Sequence, residues 1–273
     1  MRSRLLLSLV IGHAALVILP VSYGQRYILK DNTALAASDV TVADGALVQQ
    51  VKIASGGSFE RRYPLSDVVR LDFPEPEALA QAEKLVAGGQ GAAALAAIEP
   101  VYRQFALFPR TAGSPWARAA DLRLQALLLG TDQDAIAIAA REIMRSGVGA
   151  ELTGTAKLAL AQLDARAGRE SLANAMLEEI VKEAPPAVQA RAWLLRGDLA
   201  AARSAHEEAL EAYLRVPAFY GTIDALQPAA LLGAARAYKG YGDTARAERA
   251  AIELIDGYPA TAQAAEAKKE FGL

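Results

Sequence analysis

Hydrophobic and polar positions along this chain follow three successive rhythms. The first, "MRSRLLLSLVIGHAALVILPVSYGQ", opens with Arg2 and Arg4 and is apolar almost without break from Leu5 to about Val21. From Gln25 to Phe73 the chain alternates in short β-branched runs, "RYILKDNT", "DVTVADGALVQQVKIASGGSFERRYPL" and "DVVRLDF". The alternation predicts four or five strands, with "ADG" (Ala43 to Gly45) and "SGGS" (Ser55 to Ser58) as hairpin turns. So many short strands in so few residues predict a small SH3-like or Sm-like half-barrel. Pro74 and Pro76 then end the strand pattern, and Glu75 and Glu77 suit the first turn of a helix. Beyond them apolar residues recur every three or four positions to the C-terminus, predicting amphipathic helices.

The first rhythm is that of an export signal: a basic start, an apolar run and small residues, Ser22 and Gly24, flanking Tyr23. The expectation is a signal peptide over 1–24, cleaved before Gln25, and a periplasmic or secreted protein. The alternative is an anchor that stays uncleaved. The apolar run is near the lower limit for spanning a bilayer and is interrupted by Ser8 and His13.

The third rhythm repeats. Alanines 173, 209 and 247 each lie in the second of two predicted helices, spaced about 36 to 38 residues apart, which is a helical-hairpin period. Gly168 and the pair Gly242–Asp243 fall where the chain must turn, and Pro185 and Pro259 where a second helix must stop. Going backwards, Gly130 with Ala135 and Gly89 with Ala94 continue the series, the longer gap between them taken up by "RTAGSPW". About five hairpins fill 74–273. The expected fold is therefore α+β: a β module over 25–73 followed by an all-α solenoid. A lone hairpin cannot bury its apolar face, so neighbours must complete it.

Composition agrees with closely spaced helices. Hydrophobic residues are 53% of the 273 but aromatics only 6%, so alanine and leucine carry the apolar content. The 29 basic and 31 acidic residues give a net charge of −2. That balance argues against nucleic acid, which requires a basic face. Zero cysteines exclude disulfides, thiolate metal sites and a lipid-modified N-terminal cysteine.

Catalytic signatures are not found. Gly56 and Gly57 are read as a turn, since no P-loop lysine and helix follow. His206 in "SAHEEA" is read as a solvated turn residue, and the neighbouring pairs Glu178–Glu179 and Glu207–Glu208 point different ways around their helices. No nucleophile elbow or Walker motif is present. No cofactor or metal is expected.

Trp193, Gly197, Ala209 and Tyr213, and again Tyr238, Gly242, Asp243, Ala247 and Pro259, resemble the tetratricopeptide repeat. The tail "GDTARAERAAIELIDGYPATAQAAEAKKEF" is similar to the ends of periplasmic tetratricopeptide proteins of the YbgF/CpoB type and of the tetratricopeptide subunit of the outer-membrane assembly machinery. It departs from both, having no lipoprotein cysteine and a β module where the YbgF/CpoB type has a coiled coil. The resemblance implies that first helices line a groove. Projected onto it are Leu158, Gln162 and Arg166, then Arg191, Leu194 and Asp198, then Leu232, Arg236 and Lys239. Read as a site, these make an apolar strip in a mildly basic face for an extended peptide or an acidic tail. Read as packing, the leucines are interface residues and the charges keep the surface solvated.

The function expected is a non-enzymatic protein-interaction scaffold in the cell envelope. The alternative is an accessory module binding glycan or another small ligand through its β part. Tyr102, Phe105 and Phe108, spaced by three as on one helical face, are expected to pack between the first two hairpins. The loop from Arg110 to Pro115 is the other candidate for recognition.

Overall fold

The computed structural model describes residues 24–54 and 56–273. The proposed leader, apart from Gly24, lies outside the described residues. Two compact units are present, one comprising the chain to Pro74 together with Thr111–Gly113, the other Glu75–Arg110 and Ser114–Leu273.

The β unit has six strands: β1 (Arg26–Leu29), β2 (Ala34–Ala36), β3 (Val40–Ala43), β4 (Ala46–Lys52), β5 (Ser58–Pro64) and β6 (Val68–Asp72). They pair antiparallel in two three-stranded sheets, ordered β2-β1-β6 and β3-β4-β5. The "ADG" turn is a two-residue hairpin loop in which Asp44 and Gly45 both take positive φ, as the tight turn between β3 and β4 demands. Among the described residues no strand pairing joins the two sheets, so the half-barrel closure expected from the sequence is not seen. The chain passes between the sheets through 3₁₀ turns at Ala37–Asp39 and Leu65–Asp67, which interrupt the ladders at both crossings. The segment Thr111–Gly113 belongs to this unit because Leu71 N–H donates to the Ala112 carbonyl at 2.8 Å and Ala112 bridges Arg70 in parallel. A β-carbon on Gly113 would overlap the Leu71 carbonyl. The "RTAGSPW" loop thus has a structural task, adding a short stretch to β6.

The second unit comprises eleven α-helices among the described residues: α1 (Glu77–Ala87), α2 (Gly91–Gln104), α3 (Trp116–Leu128), α4 (Gln133–Ser146), α5 (Ala150–Arg166), α6 (Glu170–Glu183), α7 (Pro186–Ala202), α8 (His206–Phe219), α9 (Gln227–Tyr241), α10 (Thr244–Gly257) and α11 (Ala262–Phe271). The first ten form five successive antiparallel helical hairpins, and α11 follows as a single helix. Local chemistry sets the ends. Asp132, Asp243 and Thr261 cap α4, α10 and α11 by accepting a backbone N–H from three residues on. Gly242 takes the left-handed conformation that ends α9.

Packing follows one rule down the array. Small buried residues recur at one register in the two helices of a hairpin: Ala82 and Ala94, Ala161 and Ala173, Gly197 and Ala209, Ala235 and Ala247. In the second hairpin Leu124 and Ile136 occupy these places, both fully buried. Ala135, the residue expected there, is only half-buried; a large residue in that place conceals the register. Each core then joins a hairpin to the next first helix. Leu158, Ala161, Leu177 and Ile180 pack on Val188 and Ala192 of α7. Ala200, Ala209 and Tyr213 pack on Ala234 and Ala237 of α9. Leu232, Ala235, Ala251 and Leu254 pack on Ala264 and Ala267 of α11.

Tyr213 occupies a slot with a glycine on each side. A β-carbon added to Gly197 of α7 would lie 2.5 Å from its ring, and one added to Gly233 of α9 would lie 2.6 Å away. Gly197→Ala and Gly233→Ala should each lower stability by about 1–3 kcal/mol through overpacking, measured by urea unfolding. The double variant should lose less than the sum, because the first ring displacement relieves the second.

Candidate peptide-binding face

Successive first helices touch one another, α1 on α3, α3 on α5, α5 on α7, α7 on α9 and α9 on α11, whereas second helices are less closely packed on their own kind. The array therefore curves towards its first helices. Asp121 of α3 and Arg191 of α7, two hairpins apart, are electrostatically coupled, as expected when their helices converge on one inner face.

The expected site residues separate into three groups. Leu158 and Leu232 are 6% and 4% exposed and belong to the inter-hairpin cores, and half-buried Leu194 packs against the Tyr213 core. The leucines are interface residues, so no continuous apolar strip is open to a ligand. Each is needed to close the joint with the following first helix. Arg236 and Lys239 are engaged with α11. The Arg236 guanidinium lies 2.5 Å from Glu266 and 2.9 Å from Glu270, and Lys239 Nζ sits 5.1 Å above the Phe271 ring. Gln162, Arg166, Arg191 and Asp198 remain on the accessible surface, Gln162 half-buried and the others exposed.

Two further groups on α3 bear on this face, Asp121 and Arg118. Asp121 stands in its hairpin where Leu158, Leu194 and Leu232 stand in theirs, once Ile136 is taken as the residue in register. With Ala135 in that place the register slips by one and Asp121 is missed. Burial pushes the Asp121 carboxyl above the ordinary carboxylate range, opposed by a 2.8 Å hydrogen bond from Gln125 and by the positive field of Arg191. Burial likewise raises Asp198, opposed by the Tyr213 hydroxyl donating at 2.7 Å. At the near end Arg118 pairs with both Glu75 and Glu83. Among the described residues, neither Asp121 nor Asp198 has a salt-bridge partner. The basic character expected from sequence is offset at Arg236, while Arg166 and Arg191 stay exposed. Arg236 is neutralised by two glutamates, and the half-buried Asp121 carboxylate lies in the field of Arg191.

Other candidates resolve as structure. His206 is not a solvated turn residue but the half-buried first residue of α8, its ring against Gly240 of α9, where a β-carbon would come within 2.4 Å. Phe105 and Phe108 are buried, though α2 ends at Gln104, so they do not share one helical face as the spacing implied. Tyr102 donates to Glu142 at 2.8 Å and stacks near Trp116 at 5.4 Å. Among the described residues no group of histidine, cysteine and acidic side chains is placed to hold a metal ion, and no helix is long and apolar enough to cross a membrane.

No protein-family model matches the chain, and no curated protein matches it. Among solved structures it is similar to the crystal structure of YrrB, described as a TPR protein with an unusual peptide-binding site. The two are 18% identical, the match covering 70% of this chain and 90% of that one with a TM-score of 0.43.

Two outcomes test the face. The raised pKa of Asp198 means that its ionisation opposes folding at neutral pH, an effect absent below the unfolded carboxyl value of about 4 and full above the raised folded value. Asp198→Asn keeps an acceptor for Tyr213. Its stability should equal or exceed that of the parent at pH 7, with the difference shrinking as pH falls towards about 4, followed by thermal unfolding across pH. Arg236→Ala should leave Glu266 and Glu270 without their cation, and amide exchange in α11 should rise while exchange in α5 and α6 is unchanged.

Proposed function

We propose that the protein is a non-enzymatic interaction scaffold whose first-helix face accepts an extended peptide, and that the peptide is cationic. The observation that carries this reading is the charge arrangement on that face. Asp121, half-buried, and Asp198, exposed, lie outside any salt bridge among the described residues, while Arg236 is compensated by Glu266 and Glu270. A lysine or arginine side chain of a bound peptide would supply the counter-charge, and Gln125 and Gln162 would supply hydrogen-bonding amides beside it. An acidic tail, the other occupant considered from sequence, would meet these carboxylates with like charge.

Export to the cell envelope is part of the proposal. It is supported by the signal-like residues from Arg2 to Gly24 and by the similarity of the C-terminal tail to periplasmic tetratricopeptide proteins of the YbgF/CpoB type. The adaptor reading is preferred to glycan binding by the β unit because the aromatic groups there are distributed over both sheets. Tyr27 packs edge-on against Phe73 at 5.3 Å, whereas Tyr63 on β5 lies under Arg61 and donates to Gln49.

A random peptide array probed with the full chain tests the site. Bound peptides should be enriched in lysine and arginine, and their binding should weaken steeply with salt. The Asp121→Arg, Asp198→Arg double variant should lose that enrichment while keeping its helical circular dichroism. Enrichment in acidic peptides, or an unchanged profile in the variant, refutes the reading.

A further inference from the structure

The β3-β4-β5 sheet ends in a long strand whose outer edge carries no partner strand among the described residues. β5, "SFERRYP", runs for seven residues, and all except half-buried Tyr63 are exposed. An edge of this length presents unpaired backbone N–H and C=O groups, a template for another strand. The companion sheet differs: the β6 edge is bridged by Ala112. The fold thus already lays an extended segment along one of its sheets and leaves β5 open on the other.

The side chains of β5 define what would fit. Residues 59, 61 and 63 share one face, since successive side chains alternate. On that face Phe59 opposes Val51 and Tyr63 opposes Leu47 across the β4 ladder. Phe59 is 49% exposed, and Ile53 and Val42, on the same face by register, are 47% and 41% exposed. Arg61 lies between Phe59 and Tyr63, its guanidinium 5.1 Å from the Tyr63 ring centre. The opposite face is electrostatically occupied, with Arg62 paired to Asp44 and Glu60, and Glu60 accepting from Gln50. This face of the edge is therefore apolar, cationic, apolar at alternate positions, exposed at Phe59 and Arg61 and half-buried at Tyr63.

A second copy of the chain is a poor complement. An antiparallel pairing about a two-fold axis must set one residue opposite its own copy, and mid-strand that residue is Glu60, Arg61 or Arg62, each a like-charge pair. We propose that the β5 edge is a docking site for an extended segment of a partner protein, in which one acidic residue is flanked two positions away on each side by apolar residues. Its backbone extends the sheet, its acid meets Arg61, and its apolar side chains cover Phe59 and Tyr63. This inference does not depend on peptide binding by the helical face.

The test is fluorescence anisotropy of the full chain with the labelled peptide Thr-Val-Thr-Asp-Thr-Val-Thr. Saturable binding should be abolished when alternate peptide nitrogens are methylated. It should weaken about tenfold with Arg61→Glu and return when that variant meets a peptide with lysine in place of aspartate. Arg61→Gln, with its unfolding midpoint measured alongside, should fall between the two and guard against misfolding of the reversed variant. The Asp121→Arg, Asp198→Arg double variant should bind this peptide as the parent does. The proposal is overturned by absence of saturable binding, by indifference to methylation or to Arg61→Glu, by loss in the double variant, or by a dimer in sedimentation that Arg61→Glu dissolves.

Discussion

Each hairpin in the helical unit leaves one apolar side uncovered, and only the first helix of the next hairpin closes it. The cores around Ile180, Tyr213 and Leu254 are all built this way, from two helices of one hairpin and the leading helix of its successor. This makes stability a nearest-neighbour matter. The same holds for α11. Ala264 and Ala267 complete the last core, and Glu266 and Glu270 satisfy Arg236 on the adjacent face.

The same constraint produces the candidate binding face. Successive first helices pack on one another and so bring charges from distant repeats within reach of one another. Asp121 and Arg191 are neighbours electrostatically although a whole hairpin separates them in the chain. Partial burial then raises the free-energy cost of the Asp121 carboxylate, and a counter-ion from a partner becomes worth more there than it would be in open solvent. The β unit offers recognition of another kind, through backbone groups along β5, with side chains only selecting among strands.

Much of this was legible in the residues. Asp44–Gly45 foretold the β3–β4 hairpin and Gly242–Asp243 the α9–α10 turn, because positive φ and N-capping are local requirements met by few residue types. The second-helix alanines revealed the repeat. In that register Ala135 was taken for Ile136, where a large side chain replaced the small residue used as a marker. It carried a functional consequence, since Asp121 then fell one place out of line. His206 was misjudged for a related reason: its partner Gly240 lies on the next hairpin, and a residue without a side chain advertises no contact.

What the sequence by itself determined is the order and kind of elements, a β module and then paired helices with their turns and caps, because these follow from periodicity and conformational preference within a few residues. What the tertiary structure alone decided is the status of each surface charge and leucine. Arg236 meets two glutamates about thirty residues away, Leu158 and Leu232 disappear into joints between repeats, and the 111–113 segment joins β6. Such pairings depend on distances between elements far apart along the chain, and no local pattern encodes them.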